Sequence, residues 1–151
     1  MEYKNKIIIV DDHPLFREGM KFLIETEGIG EVISEAENGQ VFLNQLKDLS
    51  PDLVLMDIEM PEMDGIEATR EALNLKPGLK VLVLSMFSDR ERYIGMIKAG
   101  AMGFALKSAG KNELENAINT VIRGENYFPN SISQKVVVNH ENRQAGSEYA
   151  T

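Results

Sequence analysis

The chain has 151 residues, enough for one ordinary domain with a core that needs no covalent staple. It contains no cysteine, which excludes disulfides, thiolate zinc sites and cysteine nucleophiles. Its formal charge of −8, with no Lys/Arg cluster and interleaved aromatics to offset it, weighs against direct nucleic-acid binding by this stretch.

The opening residues 1–6 lead into Ile7-Ile8-Ile9-Val10, a short apolar run closed by Asp11-Asp12. This is neither a signal peptide nor a membrane span, so the expectation is a soluble cytoplasmic protein without membrane partners. A strand is expected over 6–11, then a helix over 14–27, with Pro14 in its first turn and Gly28 at its exit. A strand over 32–36 and a helix over 39–49 follow, the helix stopped by Ser50-Pro51. Leu53-Val54-Leu55-Met56 then closes on Asp57, giving a strand over 52–57. The turn Ile58-Glu59-Met60-Pro61-Glu62-Met63-Asp64-Gly65 feeds a helix over 65–74, and Lys76-Pro77-Gly78 breaks it. A strand over 80–85 ends at Ser85, a helix over 89–99 exits at Gly100, and a strand over 103–107 ends at Lys107. In the last helix, over 111–123, Leu114, Ala117, Ile118, Val121 and Ile122 recur at helical spacing and form one stripe for the sheet. After Gly124, residues 125–130 read as a turn-like exit. Val136-Val137-Val138 is an isolated apolar patch, and 139–151 is polar with little to bury, a loose tail or the start of a linker.

Alternation of short apolar runs with amphipathic segments predicts an α/β fold: five βα units wound into a doubly wound parallel sheet. The first and third strands are almost continuously apolar, as strands covered on both faces must be. Ligands of such sheets bind outside the carboxyl ends of the strands, and Asp11, Asp12, Asp57, Ser85 and Lys107 all fall there. Singly, each has a plain structural alternative: Asp12 a helix cap, Asp57 a turn acid, Ser85 a satisfied strand-end hydroxyl, Lys107 a solvated charge. Jointly they describe a site. Three converging carboxylates repel one another, so such a site must raise a pKa or recruit a cation. Mg²⁺ fits the hard oxygen donors. Asp12 and Asp57 would ligate it directly, Asp11 through water, and the turn carbonyl of Glu59 would fill another position. Lys107 would supply fixed positive charge opposite. His13 and His140 are isolated and read as structural or solvated.

These residues resemble the receiver domain of two-component response regulators over about residues 5–125, leaving 126–151 as tail or linker. Asp11-Asp12 match its acidic pair, Asp57 its phosphoacceptor, Ser85 its switch hydroxyl, Phe104 its switch aromatic and Lys107 its lysine. Asp11-Asp12-His13-Pro14-Leu15-Phe16-Arg17-Glu18-Gly19, Ala99-Gly100-Ala101-Met102-Gly103-Phe104-Ala105-Leu106-Lys107 and Gly124-Glu125-Asn126-Tyr127-Phe128 further resemble the NarL/FixJ (LuxR-type) subfamily. The resemblance implies a flavodoxin-like sheet of order 2-1-3-4-5 and transfer of a phosphoryl group from a sensor histidine kinase to Asp57, with Mg²⁺ as cofactor. It also implies a conformational switch through Ser85 and Phe104, phosphorylation-linked homodimerisation, and control of transcription through a separate helix-turn-helix domain. Glu59 and Phe87, two residues beyond Asp57 and Ser85, are placed to influence the entry of water. Ser108 stands where many receivers carry proline after a cis bond, and a cis Lys107-Ser108 bond would cost about 3–4 kcal/mol. Nothing after Ile132 offers the two helices and turn of a DNA-binding module, so the chain reads as a fragment ending in its linker or as a stand-alone receiver. A rival of another class is an Mg²⁺-dependent phosphatase, which also places acids after a parallel strand; a flavodoxin-like cofactor binder would need a phosphate-cradling loop where Asp11-Asp12 stand.

Overall fold

A computed structural model describes residues 4–87 and 89–128 of the chain. The elements are β1 (Lys6–Val10), α1 (Pro14–Thr26), β2 (Glu31–Ala36), α2 (Gly39–Leu46), β3 (Leu53–Asp57), α3 (Gly65–Leu75), β4 (Val81–Ser85), α4 (Arg90–Ala99), β5 (Gly103–Leu106) and α5 (Lys111–Ile122). The expected apolar patch at Val136-Val137-Val138, His140 and the polar tail lie outside the described residues.

The five strands are all parallel and ordered β2-β1-β3-β4-β5. Because side chains alternate across a strand, the sheet divides the core in two. Ile7, Ile9, Leu53, Leu55, Leu82, Leu84 and Ala105 pack with α1 and α5 residues such as Ile24, Leu114, Ile118 and Val121. Ile8, Val10, Val54, Met56, Val81, Val83 and Phe104 pack with Phe42, Ala68, Ala72, Tyr93 and Met96 from α2, α3 and α4. β3 and β4 are buried at every residue, their apolar runs Leu53–Met56 and Val81–Leu84 closed by Asp57 and Ser85.

Register then fixes the edge. Val10 pairs with Met56, Asp57 with Leu84, and Ser85 with Leu106. Asp11, Asp57, Ser85 and Lys107 therefore emerge at one level of the sheet. The loop after β3 is drawn tight at Gly65, where a Cβ would overlap the Asp57 carbonyl oxygen.

Helix ends follow their local chemistry. Asp64 and Asp89 accept the backbone N–H of Glu67 and Arg92, each at 2.9 Å, and so cap α3 and α4. Asp89, expected inside α4, is thus its cap. α2 ends at Leu46, three residues before the expected stop, because Asp48 and Leu49 both turn their N–H groups to the Gln45 carbonyl. α1 starts on Pro14 with His13 at the cap and no side-chain cap bond, so Asp12 does not serve as one. No cis peptide bond occurs among the described residues, and the Lys107-Ser108 bond is trans.

The turn-like exit after α5 returns to the sheet. Tyr127 donates its N–H to the Met102 carbonyl at 3.0 Å and accepts the Phe104 N–H at 2.9 Å, forming a parallel bridge against β5. The Phe128 ring lies edge-on to Tyr93, 5.8 Å between centroids. No helix among the described residues is long and apolar enough to cross a membrane.

Candidate functional site

The buried polar or charged residues among those described are Asp11, Thr69, Asp57 and Ser85. Three of these four lie at the carboxyl edge of the sheet. Burying ionisable groups is costly unless they are paired, so their concentration there points to a site rather than to folding.

Lys107 is the pairing charge. Its ammonium lies 2.7 Å from Asp11 Oδ2 and 3.2 Å from Asp57 Oδ1, on a side chain only 5% exposed. Burial alone would push this lysine down; the two carboxylates outweigh it and hold it above its usual value. The Phe16 ring of α1 covers the ammonium at 4.6 Å. An apolar cleft of about 410 Å³, lined by His13, Phe16, Met86, Lys107 and Ser108, opens beside it.

Asp57 is in the opposite position. Burial first, and the neighbouring Asp11 carboxylate second, push it up to about 7 against the pull of Lys107. Its Oδ1 accepts the Glu59 N–H at 3.2 Å, whereas Oδ2 is buried with no hydrogen-bond partner. Ligand atoms of Asp11, Asp12, His13 and Asp57 all lie within 4.8 Å of one another. A divalent cation fits this set: it would give the orphaned Asp57 oxygen a partner and offset the carboxylate repulsion that raises the pKa.

His13 departs from its expected role as an isolated histidine. Its Nδ1 lies 3.0 Å from Asp11 Oδ1 and 3.1 Å from Asp12 Oδ1, and its backbone N–H donates to Asp11 Oδ1 at 2.8 Å. The Asp11 carboxylate accepts the His13 backbone N–H and faces the ring as well, which keeps the ring beside the acids.

Ser85 sits at the expected strand end, but its hydroxyl donates to Glu59 Oε1 at 2.6 Å and accepts the Phe87 N–H at 3.1 Å. The Glu59 carboxylate also takes an N–H of Arg92 at 3.1 Å. Phe104 is buried edge-on against Tyr93, 4.9 Å between centroids at 74°. The Tyr93 hydroxyl is buried without a partner, and burial pushes it up from its usual value.

Two arginines escaped the sequence reading. Arg17 on α1 donates to the Asp11 carbonyl and lies 3.4 Å from Glu35, while Arg92 lies in the first turn of α4. Their signal in the sequence is faint, since a helical arginine is ordinarily solvated and only the loop geometry turns these two inward.

The sequence model for the family described as the response regulator receiver domain matches residues 7–119. The transcriptional regulatory protein DegU of Brevibacillus brevis is 36% identical over 152 residues, covering 97% of this chain and 64% of its own length. Response regulator GacA of Pseudomonas aeruginosa is 37% identical over 134 residues, covering 88% and 62%. The chain thus spans less than two thirds of the length of these curated relatives. Among solved structures, a LuxR-family two-component response regulator from Aurantimonas superposes with a TM-score of 0.84 at 30% identity, over 91% of this chain and 99% of that one. The receiver domain of the response regulator NarL from Mycobacterium tuberculosis gives 0.78 at 31%, over 82% and 100%.

Proposed function

The chain belongs to the response regulator receiver family, and from that premise we propose that Asp57 is its phosphoacceptor, charged by a sensor histidine kinase to switch a transcriptional output. The observation that carries this reading is the buried Asp57 carboxylate, paired on one oxygen with Lys107 and left open on the other.

In the proposed transfer, an Asp57 oxygen attacks the phosphorus of a phosphohistidine. The new O–P bond forms in line as the N–P bond breaks, and the imidazole leaves with the electron pair. Lys107, already desolvated and held charged, meets the developing phosphoryl charge without reorganisation. Asp12 and Asp57 would hold Mg²⁺ directly and Asp11 through water, with the Glu59 carbonyl as a further donor. When bound, the ion would neutralise phosphoryl oxygens and favour ionised Asp57. Water entering along the same line would hydrolyse the acyl phosphate and reset the domain. It is a regulatory switch assisting its own transfer and dephosphorylation, not an enzyme with a turnover substrate.

Ser85 then donates its hydroxyl to the phosphoryl group, and Phe104, packed on Tyr93 beneath α4, carries the change toward α4 and β5. We place residues 5–125 in this receiver and 126–151 in a linker toward a DNA-binding domain, as in the longer regulators it resembles. Action in the cytoplasm and phosphorylation-linked homodimerisation belong to the same reading.

Incubation with acetyl phosphate and Mg²⁺, followed by intact mass measurement, tests it. The wild type gains one phosphate (about 80 Da by the mass of HPO₃, the single adduct expected of one acceptor), and Asp57→Asn gains none. Labelling of the variant at comparable stoichiometry would remove Asp57 from its role.

A further inference from the structure

The Ser85 hydroxyl, needed by a phosphoryl group on Asp57, is already committed. It donates to Glu59 Oε1 at 2.6 Å, and that same oxygen takes the Arg92 guanidinium at 3.1 Å. Arg92 is fixed on two further sides, by Asp89 Oδ2 at 3.3 Å and by the face of Phe87 at 5.1 Å. Glu59 cannot drift far, because its backbone N–H donates to Asp57 Oδ1 and its side chain is 22% exposed.

A hydroxyl carries a single proton to donate. An ionised carboxylate oxygen holds such a donor more strongly than a neutral acceptor does. A phosphoryl group on Asp57 would bring three competing acceptor oxygens and added negative charge. Both cannot be served at once. We propose that Glu59, braced by Arg92, is an internal competitor for the Ser85 hydroxyl and so a positioning pair that holds the domain in its unphosphorylated arrangement. This rests on the reading of Asp57 as phosphoacceptor.

The pair has a second consequence. Arg92 lies in the first turn of α4, so transfer of the Ser85 hydroxyl from Glu59 to the phosphoryl group leaves Glu59 beside a new negative charge and loosens its grip on α4. The site and that helix are linked by one ion pair as well as by Phe104.

Beryllofluoride with Mg²⁺, a phosphoryl mimic, measures the competition without turnover. Its half-saturation is read from the backbone amide of residue 59 in ¹H–¹⁵N spectra, since that N–H donates to Asp57 Oδ1 and is present in every variant below. Glu59→Ala should bind the mimic roughly tenfold more tightly, the worth of one charge-assisted hydrogen bond. Arg92→Ala should shift the same way by a smaller factor, and Arg92→Lys should fall between Arg92→Ala and wild type. In a Ser85→Ala background the gain from Glu59→Ala should vanish, because nothing remains to compete for. A gain of equal size in that background would overturn the proposal, leaving Glu59 as a mere source of repulsion; so would unchanged affinity in both Glu59→Ala and Arg92→Ala. Failure of the wild type itself to bind beryllofluoride with Mg²⁺ would overturn the phosphoacceptor reading, and this proposal with it.

Discussion

A carboxylate held near neutrality by burial is a source of instability until something binds it, and Asp57 is such a group. Its folded pKa of about 7 exceeds its ordinary value of 3.8, so the folded chain holds the proton more tightly than the unfolded one. Between those two values the unfolded chain has lost the proton and the folded chain has kept it. Stability therefore falls as pH rises through that window and levels off above it. Asp57→Asn removes the penalty, and should raise stability by on the order of 2 kcal/mol at pH 8 but by little near pH 4. Mg²⁺ should narrow the gap at pH 8 by stabilising the wild type alone, and lose that effect below about pH 6 as the proton competes. Urea denaturation of both proteins at the two pH values, with and without Mg²⁺, checks this; a gap independent of pH would contradict it. The residues facing each other here differ in how legible they were. Asp11, Asp57, Ser85 and Lys107 each end an apolar run, and four such ends in one parallel sheet must share an edge. Arg92 and His13 left no such mark, because their inward turn depends on loop angles that no local pattern encodes.

At the scale of elements, the strands were legible to within about one residue because both faces of the sheet are covered, which forces runs such as Leu53–Met56 to be apolar throughout. The start of α1 was legible through Pro14, whereas the caps Asp64 and Asp89 emerge only from the structure. The end of α2 was not legible, since the 47–49 turn satisfies its N–H groups on Gln45 without any glycine or proline to announce it. Gly65 shows how one element positions the chemistry of another. It opens α3, yet a Cβ there would overlap the Asp57 carbonyl and crowd the Ile58 Cα at 2.9 Å. Both neighbours are backbone and cannot yield as a flexible side chain would. Gly65→Ala should therefore cost about 1–3 kcal/mol, typical of overpacking a tight contact, and should also slow labelling by acetyl phosphate by displacing Asp57 from Lys107. Glycine 110 is a useful control, because nothing lies within 4 Å of a Cβ there. Gly110→Ala should leave labelling unchanged; comparable losses in both variants would mean that helix entry in general, rather than the β3 contact, was disturbed.

At the scale of the whole molecule, the question is where the receiver stops. An exposed edge strand presents unpaired backbone groups, and β5 is the edge beside α5. Tyr127 covers part of it through two backbone bonds to Met102 and Phe104, and its hydroxyl reaches Glu113 of α5 at 3.3 Å. Phe128 then packs on Tyr93, which packs on Phe104. The chain after α5 is thus in contact with the aromatic expected to respond to Ser85. A cut after Glu125 removes the Phe128–Tyr93 ring contact and uncovers the β5 edge, and should cost about 2–4 kcal/mol, comparable to deleting one large buried side chain. A cut after Phe128 keeps both the β5 bonds and the Phe128–Tyr93 contact and should be the more stable of the two truncations. Urea midpoints of the two truncations and the intact chain decide the matter. Equal stability of all three would return the boundary to 125 and leave Tyr127 and Phe128 as passengers; a loss confined to the shorter chain makes them part of the receiver and the physical route by which its core meets whatever follows.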